Sequence, residues 1–283
     1  MREQVILSAD SPAEMPQHVL RRLGLQIMPL YVNLQGRSLR DGAEVTAADV
    51  FALYTREKVI ATTSAGSVGD YEAHFRQASG GGVHSVVHYC IGGKISSSYG
   101  NASIAARDCP GVFVIDSESM SVGLSLQLLY ADALRAQGQE ARMIAFQAES
   151  YKKRVRTTAL LHSLTFMRRG GRCSAVSALG ANLLGIRPVV QMLDGQAGVY
   201  KKLRGRPALA HAQYIDGLLE RPGDIDGTAA FLYHTGLPLE EFYAAEEYVR
   251  SYGIFGELHT GQAGAVTSTH LGERCLLLVF AYQ

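Results

Sequence analysis

The chain has 283 residues, of which 47% are hydrophobic, and this is enough for one large domain or two ordinary domains with buried cores. Lys and Arg together number 27 and Asp and Glu number 26, which gives a formal net charge of +1. This balance argues against nucleic acid as a partner and against a basic face for membranes. Since every apolar run is shorter than the roughly 18 residues of a membrane span, we expect only transient membrane contact.

The cysteines and the first residues predict a cytoplasmic protein. The four cysteines are scattered without a CxxC pair, and Cys90 and Cys275 lie in apolar runs that favour reduced, buried thiols. The N-terminal segment meets charges and a proline too early for a signal peptide. The sequence lacks the GxGxxG, GxxxxGK[ST], GxSxG and HExxH motifs and shows no close metal-ligand spacing. We therefore predict neither a cofactor nor a metal.

In the first half of the chain, short apolar runs alternate with amphipathic segments. Such alternation of strands and helices indicates a parallel α/β sheet. Thr46 and Asp49 resemble a capping box that opens a helix, and Pro29 favours an edge position for the strand around it. The predicted strands are Val5 to Ala9, Leu25 to Leu34, Val86 to Ile91 and Val112 to Ile115, and the predicted helices are Glu14 to Leu23, Thr46 to Tyr54, Asp70 to Ala78 and Val122 to Gln137.

Polar residues follow three of these strands directly: Asp10-Ser11, Ser96 to Ser98, and Asp116-Ser117. In parallel sheets ligands bind at the carboxyl ends of the strands, so these residues are expected to converge. The serines after Gly92-Gly93 precede a predicted helix, where free backbone N–H groups and hydroxyls suit a small carboxylate or phosphate. Asp and Ser are also common helix caps and turn residues, and that interpretation stays open. The loop from Ala61 to Ser67 supplies a second group of hydroxyls.

In the second half we predict a strand from Ala141 to Phe146 and a basic helix from Lys152 to Arg169. Gly170 and Gly171 suit the end of that helix, and Arg172 leaves the turn in a fixed direction. A domain boundary is placed here, which divides the chain into residues 1–152 and 153–283.

The remaining residues predict a hairpin that turns at Asp194-Gly195, followed by further strands and a helix. Four basic residues beside this hairpin fit a solvated edge or a protein docking surface better than a nucleic-acid site. His234 and His270 are candidate functional histidines, although a lone histidine is usually structural. The basic residues are Lys201, Lys202, Arg204 and Arg206, and the other predicted elements are the strands Ala229 to Tyr233 and Cys275 to Ala281 and the helix Pro238 to Tyr252.

A series of segments along the chain forms a recognisable set. In order they are VILSADSPAEMP, IMPLYV, RDGAEVTAADVFALY, TTSAGSVGDY, ISSSYGNA, VIDSESMSVG, FMRRGGRCS, IRPVVQMLDG, KLRGRPAL, YHTG and THLG. Together they resemble the DegV family of fatty-acid-binding proteins, the FakB group. The resemblance implies a two-domain α/β protein with an N-terminal parallel-sheet domain and a C-terminal α/β domain with a mixed sheet. It also implies a non-enzymatic carrier that buries a long-chain fatty acid and presents the carboxylate to a separate fatty acid kinase, which forms an acyl phosphate with ATP.

The resemblance also implies a set of ligand-binding residues. Ser96 and Thr63 correspond to direct carboxylate donors, and His270 corresponds to their hydrogen-bonding or charged partner. A carboxylate removed from water needs several donors, and hydroxyls with an imidazole can supply them. The full predicted set is Thr63, Ser64, Ser96, Ser97, Ser98, Arg172 and His270.

The chain departs from the family pattern at three places. Ala65-Gly66 replaces the family's Gln-Pro, Ser97-Ser98 replaces Gly-Thr, and Glu273-Arg274 replaces Pro-Gly. An alternative from the residues themselves is a serine-dependent acyl hydrolase or acyltransferase, with Ser96 as nucleophile and His270 as base. No nucleophile-elbow motif supports that alternative. A sensor of small acids would use the same site with another partner.

Overall fold

The computed structural model describes residues 3–172 and 185–283. Its first sheet has four parallel strands, which confirms the predicted parallel α/β arrangement. Because all four strands run the same way, the segments after them leave from one edge. In spatial order the strands are β2 (Gln26–Met28), β1 (Val5–Asp10), β6 (Ser85–Cys90) and β7 (Val112–Asp116).

The prediction of one strand from Leu25 to Leu34 is wrong. Met28 ends β2, and the chain continues into β3 (Tyr31–Leu34), which belongs to a different sheet. Pro29 lies at this break, and its missing N–H cannot continue a strand ladder. Three antiparallel strands form that second sheet, in the order β4 (Arg37–Arg40), β3 and β5 (Thr62–Ser64). The hydroxyl-rich segment after Ala61 is thus partly a strand, and Thr63 pairs with Val32.

The helices of this half begin within three residues of their predicted starts: at Gln17 instead of Glu14, at Ala47 directly after the predicted cap Thr46, and at Val68 instead of Asp70. A capping box of Thr46 and Asp49 opens α2, and a second one of Ser67 and Asp70 opens α3. Each box satisfies backbone N–H groups that the helix itself leaves free. The helices are α1 (Gln17–Leu23), α2 (Ala47–Glu57), α3 (Val68–Ala78) and α4 (Ser98–Ala105).

The third sheet is mixed, as predicted for the C-terminal half. Its one parallel pair is β11 with β12, and the other neighbours are antiparallel. The predicted Asp194-Gly195 turn joins the hairpin of β9 and β10. In spatial order the six strands are β10 (Gln196–Arg204), β9 (Ile186–Leu193), β8 (Val155–Leu160), β13 (Cys275–Tyr282), β11 (Ile225–Thr235) and β12 (Glu257–Gln262).

Two predictions around the middle of the chain are wrong. The segment predicted as a strand from Ala141 is the helix α6 (Ala141–Tyr151), which buries one face at helical spacing. The predicted helix from Lys152 to Arg169 is instead the strand β8 followed by the short helix α7 (Thr165–Gly170). In β8 the β-branched residues of Val155–Leu160 pair with strands on both sides, and this pairing outweighs the basic, helix-like pattern.

After β10 the described chain contains three helices: α8 (Pro207–Leu219), α9 (Leu239–Ser251) and α10 (Ala265–Leu271). Over residues 3–172 and 185–283, no helix has the length and hydropathy needed to cross a membrane. Cys90, Cys109 and Cys275 are buried free thiols, and Cys173 lies outside the described residues. The parallel sheet ends at Asp116 and the mixed sheet begins at Val155, whereas the domain boundary after residue 152 stays a prediction.

The helix α5 (Val122–Ala136) lies between the parallel sheet and the mixed sheet. It contacts β1 and β6 on one side and β8, β11 and β13 on the other. Leu124, Leu128 and Ala131 have no exposed surface, and one apolar core runs through the helix into both sheets. A helix that is apolar on most sides is stable only when it is covered on most sides. Burial of α5 therefore holds the two sheets in a fixed relation.

Replacement of Leu128 by alanine should destabilise the whole protein. The side chain is fully buried in the core around α5, and the cavity left behind should cost about 2–5 kcal/mol of unfolding free energy. Urea denaturation followed by circular dichroism measures this loss. Leu209→Ala is the matched control, because Leu209 is 53% exposed on α8, and it should change stability by less than about 0.5 kcal/mol. Equal effects of both variants would contradict this account of α5.

Candidate functional site

A cavity of about 290 Å³ lies where the exit of β6, the strand β5, the end of α7 and the helix α10 meet. Its lining combines hydroxyls, an imidazole and a guanidinium with apolar side chains. The polar side chains are Thr63, Ser64, Ser96, Ser97, Arg172, Thr267 and His270. The apolar side chains include Leu30, Ile91, Ile95, Met120, Met167 and Leu271.

Six of the seven predicted site residues thus line one cavity, and Ser98 does not. Ser98 is the first residue of α4 and is fully buried. Its hydroxyl lies 2.9 Å from Ser96 Oγ, and its backbone N–H donates to the same oxygen over 3.2 Å. Ser98 therefore does not line the cavity itself but orients the hydroxyl of Ser96, which does.

His270 and Thr63 meet although 207 residues separate them in the chain. His270 Nε2 lies 2.8 Å from Thr63 Oγ1, which brings a side chain of α10 onto the strand β5. On its other side the imidazole rests against Gly170, where a Cβ atom would lie only 2.6 Å from His270 Nδ1. Gly170 is therefore required for this approach, while Gly171 ends α7 with a φ of 66°.

The imidazole of His270 is neutral near pH 7. Burial, and secondly the positive charge of Arg172, lower its pKa to about 4. Arg172 itself is exposed, and its Nη1 donates to Gly170 O over 2.6 Å. The cavity thus combines neutral donors inside with one cation at an exposed position.

The two aspartates that follow strands serve as structural anchors. Asp10 is fully buried, and it accepts hydrogen bonds from Ile91 N over 2.9 Å and from the Tyr71 hydroxyl over 2.6 Å. Asp116 Oδ1 accepts from Gly93 N and Glu118 N, each over 2.9 Å. Both carboxylates fix the loop after β6. The open alternative of turn chemistry is correct for Asp116, which accepts from an amide two residues on, whereas the partners of Asp10 lie 61 and 81 residues away.

The backbone of the loop after β6 is less available to an anion than predicted. The amides of Ile95 and Ser96 donate to Gly92 O over 3.0 Å and 3.1 Å, and the amide of Ser98 donates to Ser96 Oγ. These N–H groups are already satisfied within the loop. From this loop, the hydroxyls of Ser96 and Ser97 reach the cavity.

His234 lies inside β11, and it is structural. Its Nδ1 accepts a hydrogen bond from Leu237 N over 3.0 Å. One group of potential metal ligands, Asp10, His88 and Cys90, occurs in the described part of the chain, with donor atoms within 4.8 Å of one another. It is fully buried in the core, where His88 Nδ1 already pairs with Ser8 Oγ over 2.9 Å. This cluster does not line the cavity.

Sequence reasoning missed two carboxylates that contact α10. Glu14 and Asp41 accept hydrogen bonds from the first backbone amides of the helix that carries His270. The sequence offered one signal for Glu14, an acidic residue between Ala13 and Met15 in an otherwise apolar segment. Its partner could not be identified from the sequence, because it lies 250 residues away at Gly264.

The fold and the cavity define an α/β protein with a buried amphiphilic site between two sheets. A family model described as "Uncharacterised protein, DegV family" matches residues 5–283, so the chain belongs to the DegV family, as its motifs predicted. A DegV domain-containing protein of Deinococcus radiodurans is 29% identical over 271 residues, which cover 95% of each chain.

Solved structures agree with this assignment. A structure from Thermus thermophilus, described as fatty acid binding of a DegV family protein, has a TM-score of 0.90 and 26% identity, and the match covers 99% of this chain and 100% of that one. DegV from Bacillus subtilis, described as a fatty acid binding protein, has a TM-score of 0.85 and 23% identity over 99% and 100% of the two chains. The second likeness shows the fold.

The protonation of His270 should depend on Arg172. NMR titration of the imidazole should give a midpoint near pH 4, and Arg172→Gln should raise it because one lowering charge is removed while burial remains. The unfolded chain takes up this proton near pH 6.5, so the stability contributed by neutral His270 should be lost as pH falls from about 6.5 to 4. Arg169→Gln, three residues earlier in the last turn of α7, is the control and should leave the midpoint unchanged. A midpoint near 6.5 in the unaltered protein would refute the assignment.

Proposed function

We propose that this protein binds a long-chain fatty acid, with the carboxylate at the hydroxyl-lined part of the cavity and the acyl tail along its apolar part. The observation that carries this proposal is that one cavity is lined both by hydroxyl, imidazole and guanidinium groups and by apolar side chains. The similarity to the Thermus thermophilus protein, described as fatty acid binding, supports it.

The carboxylate would be held by two hydroxyls that are each oriented by a neighbour. When His270 Nε2 carries its proton, it donates to Thr63 Oγ1, and the Thr63 hydroxyl is then free to donate to the ligand. In the same way, the Ser98 hydroxyl can donate to Ser96 Oγ and leave the Ser96 proton for the ligand. Ser64 and Ser97 add further hydroxyls, and Arg172 adds a positive charge. A buried carboxylate needs this number of donors to offset the loss of water.

The acyl tail would gain its binding energy from burial. Each methylene group removed from water contributes about 0.8 kcal/mol, so affinity should rise with chain length until the apolar part is filled. Met120 and Met167 line this part, and their unbranched side chains can adapt to different tails.

The contacts favour binding over hydrolysis. In the described residues Ser96 Oγ pairs with Ser98, whereas His270 Nε2 pairs with Thr63. A serine nucleophile requires a base within hydrogen-bond distance of its own hydroxyl. We therefore propose a carrier that performs no chemistry on its ligand.

We further propose that the loaded protein presents the carboxylate to a separate fatty acid kinase. The kinase would transfer the γ-phosphoryl group of ATP to a carboxylate oxygen, which gives an acyl phosphate and ADP. Support comes from the likeness of the motifs to the FakB group and from the exposed position of Arg172 and Ser97 at the cavity. We place the protein in the cytoplasm, where ATP and such a kinase are available.

Protein purified and then denatured should release a long-chain fatty acid that mass spectrometry identifies. Thr63→Val and Ser96→Ala should each weaken fatty-acid binding about 10- to 100-fold, because a hydrogen bond to a charged group contributes about 1.5–3 kcal/mol. Titration with a fluorescent fatty acid measures this change.

Ser163→Ala is a closely matched control for Ser96→Ala. Ser163 Oγ lies 2.9 Å from the Thr165 hydroxyl and accepts from Thr165 N over 3.2 Å, which repeats the Ser96–Ser98 arrangement outside the cavity. The affinity of the Ser163→Ala variant for the fluorescent fatty acid should equal that of the unaltered protein. The carrier proposal would be overturned if the purified protein contained no fatty acid and took up none. It would also be overturned if the protein hydrolysed esters and lost this activity in Ser96→Ala.

The kinase proposal has a separate test. The loaded protein, a purified fatty acid kinase and ATP should yield an acyl phosphate, which hydroxylamine traps as a hydroxamate. The same mixture without this protein, or with the Thr63→Val variant, should yield little product. Equal product without the protein would show that it does not present the substrate.

A further inference from the structure

Two carboxylates, the half-buried one of Glu14 and the buried one of Asp41, hold the beginning of the helix that carries His270. Glu14 Oε1 accepts a hydrogen bond from Gly264 N over 2.7 Å, and Asp41 Oδ1 accepts one from Ala265 N over 3.0 Å. Asp41 also accepts from Val266 N. The first amides of α10 are therefore bound by residues that lie 250 and 224 positions earlier in the chain.

The other oxygens of the two carboxylates are also occupied. Ser121 Oγ donates to Glu14 Oε2, and Ser11 Oγ donates to Asp41 Oδ2 over 2.7 Å. Gly264 leaves just enough room between them, since a Cβ atom there would lie 3.3 Å from Asp41 Oδ1 and 3.4 Å from Glu14 Oε1. Such a filled set of partners fixes both carboxylates in one place.

The hydrogen bonds from the first amides of α10 to Glu14 and Asp41 matter because α10 is short. The helix has seven residues, fewer than an isolated helix needs for stability, so its position depends on contacts at its ends. Free amides and the helix dipole make its first turn positive, which suits carboxylates. His270 lies in the last turn of the same helix, where Nε2 reaches Thr63.

We propose that Glu14 and Asp41 are positioning residues for the carboxylate site, because they fix the helix of His270 against the strand of Thr63. The inference rests on the proposed fatty-acid function. Neither residue lines the cavity, so both act through α10.

The charge of the Glu14 carboxylate should change near neutral pH. Burial raises the pKa of Glu14 to about 7, hydrogen bonds from Ser121 and Thr267 oppose the rise, and the charge of Asp41 adds to it. Burial also raises the pKa of Asp41. Tyr233 of β11 also faces Glu14. Burial, and secondly the charge of Glu14, raise the pKa of the Tyr233 hydroxyl, so Tyr233 stays neutral. As pH falls through about 7, Glu14 gains a proton and its bond to Gly264 loses charge assistance.

NMR of His270 should report this proton. The ring signals, assigned by their loss in His270→Gln, should show a second inflection near pH 7 in addition to the titration of the ring near pH 4. Glu14→Gln should remove the inflection, and Asp41→Asn should move it to lower pH because a neighbouring charge is lost. Asp49→Asn, which alters the capping carboxylate of α2, should leave it unchanged.

Binding of parinaric acid, a fluorescent fatty acid, tests the effect on the site. Glu14→Ala and Asp41→Ala should weaken binding tenfold or more, whereas Glu14→Gln should stay within threefold of the unaltered protein at pH 6. Folded alanine variants with unchanged affinity would overturn the proposal, and so would an inflection near pH 7 that persists in Glu14→Gln. If the alanine variants do not fold, the NMR result with Glu14→Gln and Asp41→Asn decides.

Failure of the proposed function gives a different result. The unaltered protein would then bind no parinaric acid, while the His270 titration, which needs no ligand, would still support or overturn the positioning role.

Discussion

The packing of α5 between the parallel and mixed sheets is the constraint on which the site depends. Thr63 and Ser96 come from the first part of the chain, whereas Arg172 and His270 come from the second. Hydrogen bonds form only over about 2.7–3.2 Å, so the two parts must be held to within a fraction of that distance. The continuous apolar core around α5 provides this rigidity, because close-packed interiors resist small displacements.

The hydroxyls at the cavity are held by neighbouring side chains, and these are held in turn by further contacts. The hydroxyls of Thr63 and Ser96 face the cavity, and His270 and Ser98 lie against them as neutral partners. Neutral donors can meet a carboxylate without the cost of burying an unpaired charge beforehand. Glu14 and Asp41 form a deeper layer, in which negative charge is matched by the positive end of α10.

The errors of sequence interpretation have a common physical cause. The stretch from Lys152 to Arg169 carries a helix-like basic pattern, yet Val155–Leu160 within it pairs with strands on both sides and is a strand. Ala141–Tyr151 begins with an apolar run that favours a strand, yet its buried face has helical spacing. In both cases the decisive partners lie far away in sequence, and tertiary contacts override local propensity. Where the signal is local, as in the capping box of Thr46 and Asp49, the prediction is correct.

The sequence by itself determined the alternation of strands and helices, the capping box of Thr46 and Asp49, the glycine end of α7, the family and the segments that carry the hydroxyls. Those features depend on residues within about one helical turn or one strand of each other. Only the tertiary structure decided that Ser98 lies behind Ser96, that Thr63 meets His270, and that Glu14 anchors Gly264. Hydrogen bonds across 207 and 250 residues leave no periodic pattern, since packing of the whole chain brings their partners together.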